Sequence, residues 1–390
     1  MTQTVSEPAW LAGRRAAALE RYQSLPVPTN RDEAWRYTNL RGFDPDQLEQ
    51  QPGALLLSDA ELPDGVLFGS LAAMVAERPE LVERYLGSVV SGEEKFAAGN
   101  AANWTDGAFL LVPAGVELTV PLRASIEVPA EGAAIHHRTL VVLERGARAT
   151  YAEDYSSTVP GYVNTVVELV IGEGARLEYV TTQKHHPQTR QFGTHRATID
   201  RDGEVDWVVL GLGGTRAKSR IESYLAGPGA NAKVTGAYFL TGSEHADYDT
   251  TQEHAAPNTT SDLFFKGVLA DHSRAVWRGV IRVDKGAQKT DAYQENRNLL
   301  LSHEAHADSI PGLEIEANDV RCTHGATIGQ IDKLQLFYLM SRGLSRVQAE
   351  RLIVRGFFQP ILDRIGSDEV RESLAAELEA RMGGSADAGE

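Results

Sequence analysis

Asn164-Thr-Val-Val-Glu-Leu-Val-Ile171, a run of β-branched and apolar residues, enters the turn Glu173-Gly-Ala-Arg176 and leaves it toward Tyr179. Similar turns recur at Arg145-Gly-Ala-Arg148, Asp202-Gly-Glu-Val205, Pro228-Gly-Ala-Asn231 and Lys285-Gly-Ala-Gln288. Their glycines, 146, 174, 203, 229 and 286, are 28, 29, 26 and 57 residues apart, the last interval being close to two units with one degraded turn between. A strand-like run precedes each turn and another follows, usually with an aromatic: Tyr151, Tyr179, Trp207, Tyr238 and Tyr293. A unit of about 28 residues predicts stacked β coils, each burying its apolar face only against its neighbours. The competing fold is a generic β-sandwich with a turn every ~8–12 residues, and the period favours the solenoid.

Outward from this core the character of the chain changes twice. Residues 1–105 read as helices and loops, residues 106–325 as strands, and residues 326–382 as helices again, with a disordered tail at 383–390. Ser6 can cap a helix from Glu7 to Tyr22, and Leu67 to Val90 repeats the helical spacing although Pro79 should break it. Asp332 to Arg342 places Leu336, Leu339 and Met340 on one stripe. Ser345-Arg-Val-Gln348 is a capping box opening a second helix, with Gly356 near its end, and Ser367-Asp-Glu opens a third.

With 54 acidic against 38 basic side chains in 390 residues, the formal charge is −16. That argues against nucleic acid, where affinity comes mostly from cations neutralising phosphates, and against an anionic membrane surface. One cysteine cannot form an internal disulfide, which fits a reducing cytosol. The start of the chain lacks a signal-peptide pattern, and no run approaches the ~20 apolar residues of a membrane span. A cytoplasmic protein is expected.

Gly211-Leu-Gly-Gly-Thr-Arg216 lacks the third glycine of a dinucleotide loop, and the spacing before Lys218 fails for a phosphate loop, so no nucleotide site is expected in this chain. All eleven histidines lie between 136 and 324. The pairs His136-His137 and His185-His186, and His303 with His306, read as solvated turn residues, since a metal site needs several converging ligands. Soft ligands come together only in Glu314-Ile-Glu-Ala-Asn-Asp-Val-Arg-Cys-Thr-His-Gly325. If this is one strand, Glu314, Glu316, Asn318, Val320, Cys322 and His324 share a face. Cys322 and His324 could then be partial ligands of iron or of a cluster edge, a nucleophile with its base, or a buried structural pair.

Cys322-Thr-His-Gly-Ala-Thr-Ile-Gly-Gln-Ile-Asp332 followed by Leu336-Phe-Tyr-Leu-Met-Ser-Arg-Gly343 closely resembles the C-terminal signature of the SufB/SufD family of iron–sulfur cluster assembly proteins. Gln294-Glu-Asn-Arg-Asn-Leu-Leu-Leu-Ser302, Leu313-Glu-Ile315 and the N-terminal Arg31-Asp-Glu-Ala-Trp-Arg-Tyr-Thr-Asn-Leu40 continue the resemblance. Gly325, where SufB-type sequences typically carry Glu, points to the SufD branch. The resemblance implies a mainly β fold, a right-handed parallel β-helix flanked by N-terminal and C-terminal α-helical regions. It implies a non-enzymatic subunit of a SufBCD complex, with a SufB-like sister scaffold and a SufC-like ABC-type ATPase, and with homodimers in isolation. His324 falls on the family histidine proposed to face a SufB cysteine at a transient iron–sulfur cluster, with Cys322 beside it. The C-terminal helices, with Leu336, Phe337, Tyr338, Leu339, Arg342 and Phe357, become the ATPase-docking surface. Flavin involvement is left open, and no family role carries to His303 or His306. From another class, a β-helix enzyme acting on polysaccharide or ester substrates would use Asp200, Asp202 and Asp206 near Arg201.

Overall fold

The computed structural model describes residues 7–384. Its centre is a parallel β-solenoid of about eight turns, made of two sheets packed face to face. The first sheet stacks the strands Ala133–Leu143, Tyr162–Ile171, Arg190–Ile199, Arg216–Leu225, His245–His254, Arg274–Val283 and His306–Ile315. The second stacks Leu122–Glu127, Arg148–Ser156, Arg176–His185, Glu204–Gly213, Asn231–Leu240, Thr260–Leu269, Thr290–Leu300 and Val320–Gln330. Consecutive strands alternate between sheets, so each coil contributes one strand to each.

The register refines the glycine count. Arg148, Arg176, Glu204, Asn231, Thr260 and Asp291 are successive partners in the second sheet. Two residues before each lie Gly146, Gly174, Asp202, Gly229, Asn258 and Lys289, all at φ between 53° and 76°. The equivalent corner is therefore Asp202 rather than Gly203, and Lys289 rather than Gly286, with Asn258 as the degraded turn. Asp and Asn tolerate this left-handed conformation better than most residues. The aromatics also divide. Tyr151, Tyr179 and Trp207 form one interior ladder, with Tyr179 and Trp207 edge to face at 5.2 Å. Tyr238 lies opposite Gly211 and Gly267, and Tyr293 is exposed. A Cβ at Gly267 would stand 1.9 Å from the Tyr238 ring, so glycine makes room for that aromatic.

The solenoid interior is largely apolar and holds a buried cage around Glu153, which is fully removed from solvent. Its carboxylate accepts hydrogen bonds from Thr139 (2.5 Å), Tyr151 (2.7 Å), Tyr155 (2.9 Å) and Tyr179 (2.6 Å). His137 Nε2 stands 3.7 Å from it. Burial pushes this carboxyl up, but His137 and the hydroxyl donors outweigh burial and draw it down to about 2. His136, His137 and His185 are buried, not solvated turn residues. A solenoid strand has both faces covered, so polar side chains on it must find partners inside.

Helices cover the outer faces. Helix α1 (Ala9–Ser24), α2 (Leu71–Glu77), α3 (Pro79–Tyr85) and α4 (Lys95–Asn103) lie at the N-terminal end. Leu11, Leu71, Val75, Val82 and Trp104 pack on Phe109, Leu140 and Val142. Pro79 sits in the first turn of α3, where a missing amide costs nothing, and so divides two helices. The expected Ser6 cap and nearly all of the 383–390 tail fall outside the described residues; Pro8 flanks α1 without a side-chain cap. At the C-terminal end come α5 (Lys333–Ser341), α6 (Arg346–Leu362) and α7 (Asp368–Gly384). The Ser345/Gln348 capping box is present, and α6 runs past Gly356 to Leu362. Val354, Phe358, Ile361, Leu374 and Leu378 seal the second sheet against Val208, Leu210 and Phe239.

The two ends of the solenoid differ. At the N-terminal end, Ala54–Leu57 and Leu67–Ser70 pair antiparallel with the first coil and form short outer strands of the two sheets. At the C-terminal end, His306–Ile315 and Val320–Gln330 are parallel edge strands, with no neighbour beyond them among the described residues.

Candidate functional site

The segment 314–325 is not one strand. His306–Ile315 belongs to the first sheet and Val320–Gln330 to the second, with the chain turning between them, so Glu314 and Glu316 do not share a strand face with Cys322. Glu316, Asn318 and Asp319, with Ala317 between them, supply that turn, and strand alternation cannot be carried through it. Cys322 and His324 do lie on one strand, two residues apart, in register with Ala292 and Gln294 of the preceding coil. Ala292 and Gln294 face the solenoid interior and are buried. Cys322 and His324 continue those interior columns onto the last coil, where no strand of the described residues lies above them. The same side-chain direction that buries a residue in the middle of the stack exposes it at the end.

The two side chains differ in environment. Cys322 is half-buried against Val320, Ala292 and Ile281, whereas His324 is exposed. Burial, with Asp291 nearby, pushes the thiol up from its ordinary value, so it is held as the neutral thiol at neutral pH and must lose its proton to ligate a metal. Beneath His324, Gln294 donates to the carbonyls of Gly279 (3.2 Å) and Gly312 (3.1 Å), while its buried Oε1 has no partner. Gly325 stands over Glu295, where a side chain would meet the Glu295 carboxylate and the Tyr293 hydroxyl. Among the described residues, no three His, Cys, Asp or Glu side chains converge to hold a metal ion. Cys322 and His324 supply at most two ligands of a larger set. His303 meets Gln330 at 2.9 Å and His306 meets Asp308 at 3.2 Å, and neither joins them.

The docking residues expected on the C-terminal helices are unevenly placed. Phe337, Tyr338 and Arg342 are exposed, Leu339 and Phe357 are half-buried, and Leu336 is buried. Phe357 is held against the second sheet, its carbonyl accepting from Lys266 Nζ at 2.6 Å and its ring lying 4.6 Å from that cation. Four further exposed apolar side chains, Leu334, Met340, Val347 and Leu352, extend the face around Phe337 and Tyr338. The signal in the sequence was there: α5 is apolar on nearly every side, more than one buried stripe requires. Asp200, Asp202 and Asp206 are engaged separately. Asp200 accepts from the Arg201 amide, Asp202 lies over Gly229, and Asp206 pairs with Lys233 at 2.7 Å under α6 and α7.

The strap over the first sheet, residues 25–48, carries the N-terminal motif. Trp35 packs on Phe96 and Phe192. Thr38 donates to Asp247 at 2.5 Å and meets His245 at 3.2 Å. Asp247 in turn pairs with Lys218 at 2.9 Å. The motif is thus a packed clamp on the solenoid wall. Among the described residues, no helix is long and apolar enough to cross a membrane.

Comparison with known proteins agrees with this architecture. Residues 126–357, more than half of the chain, match the SUF system FeS cluster assembly SufBD core domain, and residues 54–124 match the SufBD protein N-terminal region. The chain is 29% identical to the iron–sulfur cluster assembly protein SufD of Bacillus subtilis, over 96% of this chain and 95% of that protein. It is 27% identical to an iron–sulfur cluster assembly SufBD family protein of Staphylococcus haemolyticus, over 97% and 91%. A Staphylococcus aureus member is 29% identical over 82% and 70%.

Proposed function

The chain belongs to the SufBD family of iron–sulfur cluster assembly proteins, SufD-like among its members, and on that premise we propose that it is a non-catalytic scaffold subunit of a cytoplasmic SufBCD-type complex. The observation that carries this reading is the uncapped C-terminal coil. Two edge strands there offer unpaired backbone groups, flanked by the exposed Leu313, Ile315 and Ile328. An open, partly apolar sheet edge is a template for a further strand pair, and folded proteins cover such edges. A SufB-like sister scaffold is the partner proposed for it, and a second copy of this chain in isolation. Cys322 and His324 would then enter a shared pocket in which the partner supplies the remaining ligands of a transient cluster, since one thiolate and one imidazole cannot enclose an iron–sulfur unit.

The apolar face of α5 and the start of α6 would dock a SufC-like ATPase, and ATP hydrolysis falls to that partner. The ATP cycle can reshape the sister interface only by binding two scaffold conformations with different affinity. The short connection from Gln330 to α5 gives a direct mechanical path between the docking face and the last coil. The test is co-expression with both partners, followed by anaerobic cluster reconstitution. Leu334→Asp with Phe337→Asp should abolish ATPase capture while leaving the sister scaffold bound. Cys322→Ala with His324→Ala should leave the complex intact and lower cluster yield. Full ATPase capture by the first pair, or normal yield from the second, would refute the corresponding assignment.

A further inference from the structure

On the outer face of the first sheet, one position of each coil forms a continuous row: Arg190, Arg216, His245, Arg274 and His306. Arg190 pairs with Arg216 in register, the Arg216 row continues through His245, His245 pairs with Arg274, and Arg274 with His306. Adjacent coils are separated by the interstrand distance of about 4.8 Å, so five basic side chains stand along about 19 Å of the solenoid wall. This is an unusual concentration in a chain whose formal charge is −16.

None of the three arginines is neutralised. Arg190 lies over the Phe43 ring at 5.0 Å, Arg216 donates to the Thr215 carbonyl at 2.5 Å, and no carboxylate lies within ion-pair distance of Arg190, Arg216 or Arg274 among the described residues. The acidic groups nearby already have partners: Asp247 is held by Lys218 and Thr38, Glu244 by Arg381, and Asp308 by His306. Burial, with Arg190 and Arg274 as like-charged neighbours, draws the Arg216 guanidinium down from its ordinary value. Burial likewise draws His245 down to about 3, with Arg216, Lys218 and Arg274 adding to it. The imidazole between Arg216 and Arg274 is therefore neutral at pH 7, with its Nε2 taken up by Thr38, and the charge of the row is carried by the arginines on either side of it.

We propose that this row is a binding site for a polyvalent phosphate of the pyrophosphate class, gripped by Arg216 and Arg274 across His245, with Arg190 extending it. A multiply charged, multi-oxygen anion meets several guanidinium forks at once, each with two parallel hydrogen bonds. A single carboxylate would satisfy one fork and leave the repulsion between the others. An extended acidic peptide fits less well, since carboxylates on one face of a strand repeat at about 6.8 Å, against about 4.8 Å for the rungs. The strap fixes one wall of the site, because Phe43 lies under Arg190 and Thr38 is bonded at His245.

Isothermal titration of the full chain with pyrophosphate, inorganic phosphate and acetate tests the proposal. Saturable binding near one equivalent is expected, strongest for pyrophosphate and absent for acetate. Arg216→Gln with Arg274→Gln should weaken pyrophosphate binding by about 10- to 100-fold, from the loss of charged hydrogen bonds. Arg282→Gln, on the same sheet and paired with Glu314, should leave it unchanged. Arg274→Gln alone removes an exposed side chain with no ion-pair partner, so the test survives if the double variant does not fold. No saturable pyrophosphate binding up to about 10 mM, equal binding of acetate, or full binding by folded Arg274→Gln would overturn the proposal.

Discussion

Glu153 offers the sharpest test of how the solenoid interior is held together. Its carboxyl is drawn down from 4.5 to about 2 in the folded chain. At about 1.4 kcal/mol per tenfold change in acidity, that difference makes the ionised group worth about 3 kcal/mol to the fold. Because the folded value lies below the unfolded one, the contribution is complete above the unfolded value of 4.5 and is lost as pH falls toward 2. Four hydroxyl donors to one buried charge give the same scale, since each hydrogen bond to a charged group contributes about 1.5–3 kcal/mol and burial opposes their sum. Glu153→Gln keeps the shape and removes the charge. Urea denaturation followed by the fluorescence of Trp207, which meets Tyr179 edge to face beside the cage, should give a lower midpoint for the variant at pH 7. The difference of about 3 kcal/mol should shrink as pH falls and vanish near pH 2. Hydrogen exchange should quicken first in residues 148–156 and 176–185, because a solenoid loses structure coil by coil. Equal midpoints at pH 7, or a gap that persists unchanged at pH 2, would refute the assignment of a charged, stabilising Glu153.

Two further outcomes follow from the packing. Thr38→Val removes the hydroxyl that bonds Asp247 and meets His245, so the strap should loosen at a cost of about 2 kcal/mol, seen as faster hydrogen exchange over residues 25–48 with the solenoid strands unchanged. Gly267→Ala drives a Cβ into the Tyr238 ring at 1.9 Å and should cost about 3 kcal/mol or more. Gly174→Ala, at φ 64° with open space around it, should cost about 1 kcal/mol from backbone strain alone; equal losses in the two variants would show that sterics at Gly267 are relieved by movement of Tyr238.

Much of the fold was legible because a solenoid writes its period into the chain. Corners need a left-handed residue once per coil, and Gly146, Gly174 and Gly229 supply it visibly. The corners at Asp202, Asn258 and Lys289 were harder to find, since three other residue types adopt the same backbone and a neighbouring glycine drew the count one or three places away. The pairing of Cys322 with His324 was also readable, from strand alternation alone. Their unequal exposure was not, because it depends on Cys322 finding Ala292 and Ile281 across the coil while His324 has no neighbour above it. The buried histidines escaped for a related reason. A strand covered on both faces, such as Ala133–Leu143, shows no polar alternation, so His136 and His137 look like any polar interruption.

By itself, then, the sequence determined the coil, its glycine corners at 146, 174 and 229, the Ser345 capping box, and the pairing of Cys322 with His324. These are local properties: backbone conformation at a corner, alternation along a strand, and a capping box depend on residues a few positions apart. Only the tertiary structure decided which residues meet across coils. The Glu153 cage, the strap clamped at Thr38, and the row from Arg190 to His306 join residues whose separations along the chain vary with the length of each coil, from 26 residues between Arg190 and Arg216 to 32 between Arg274 and His306. No fixed sequence period reproduces an uneven stack, whereas backbone hydrogen bonding brings the strands into register whatever the turns between them contain.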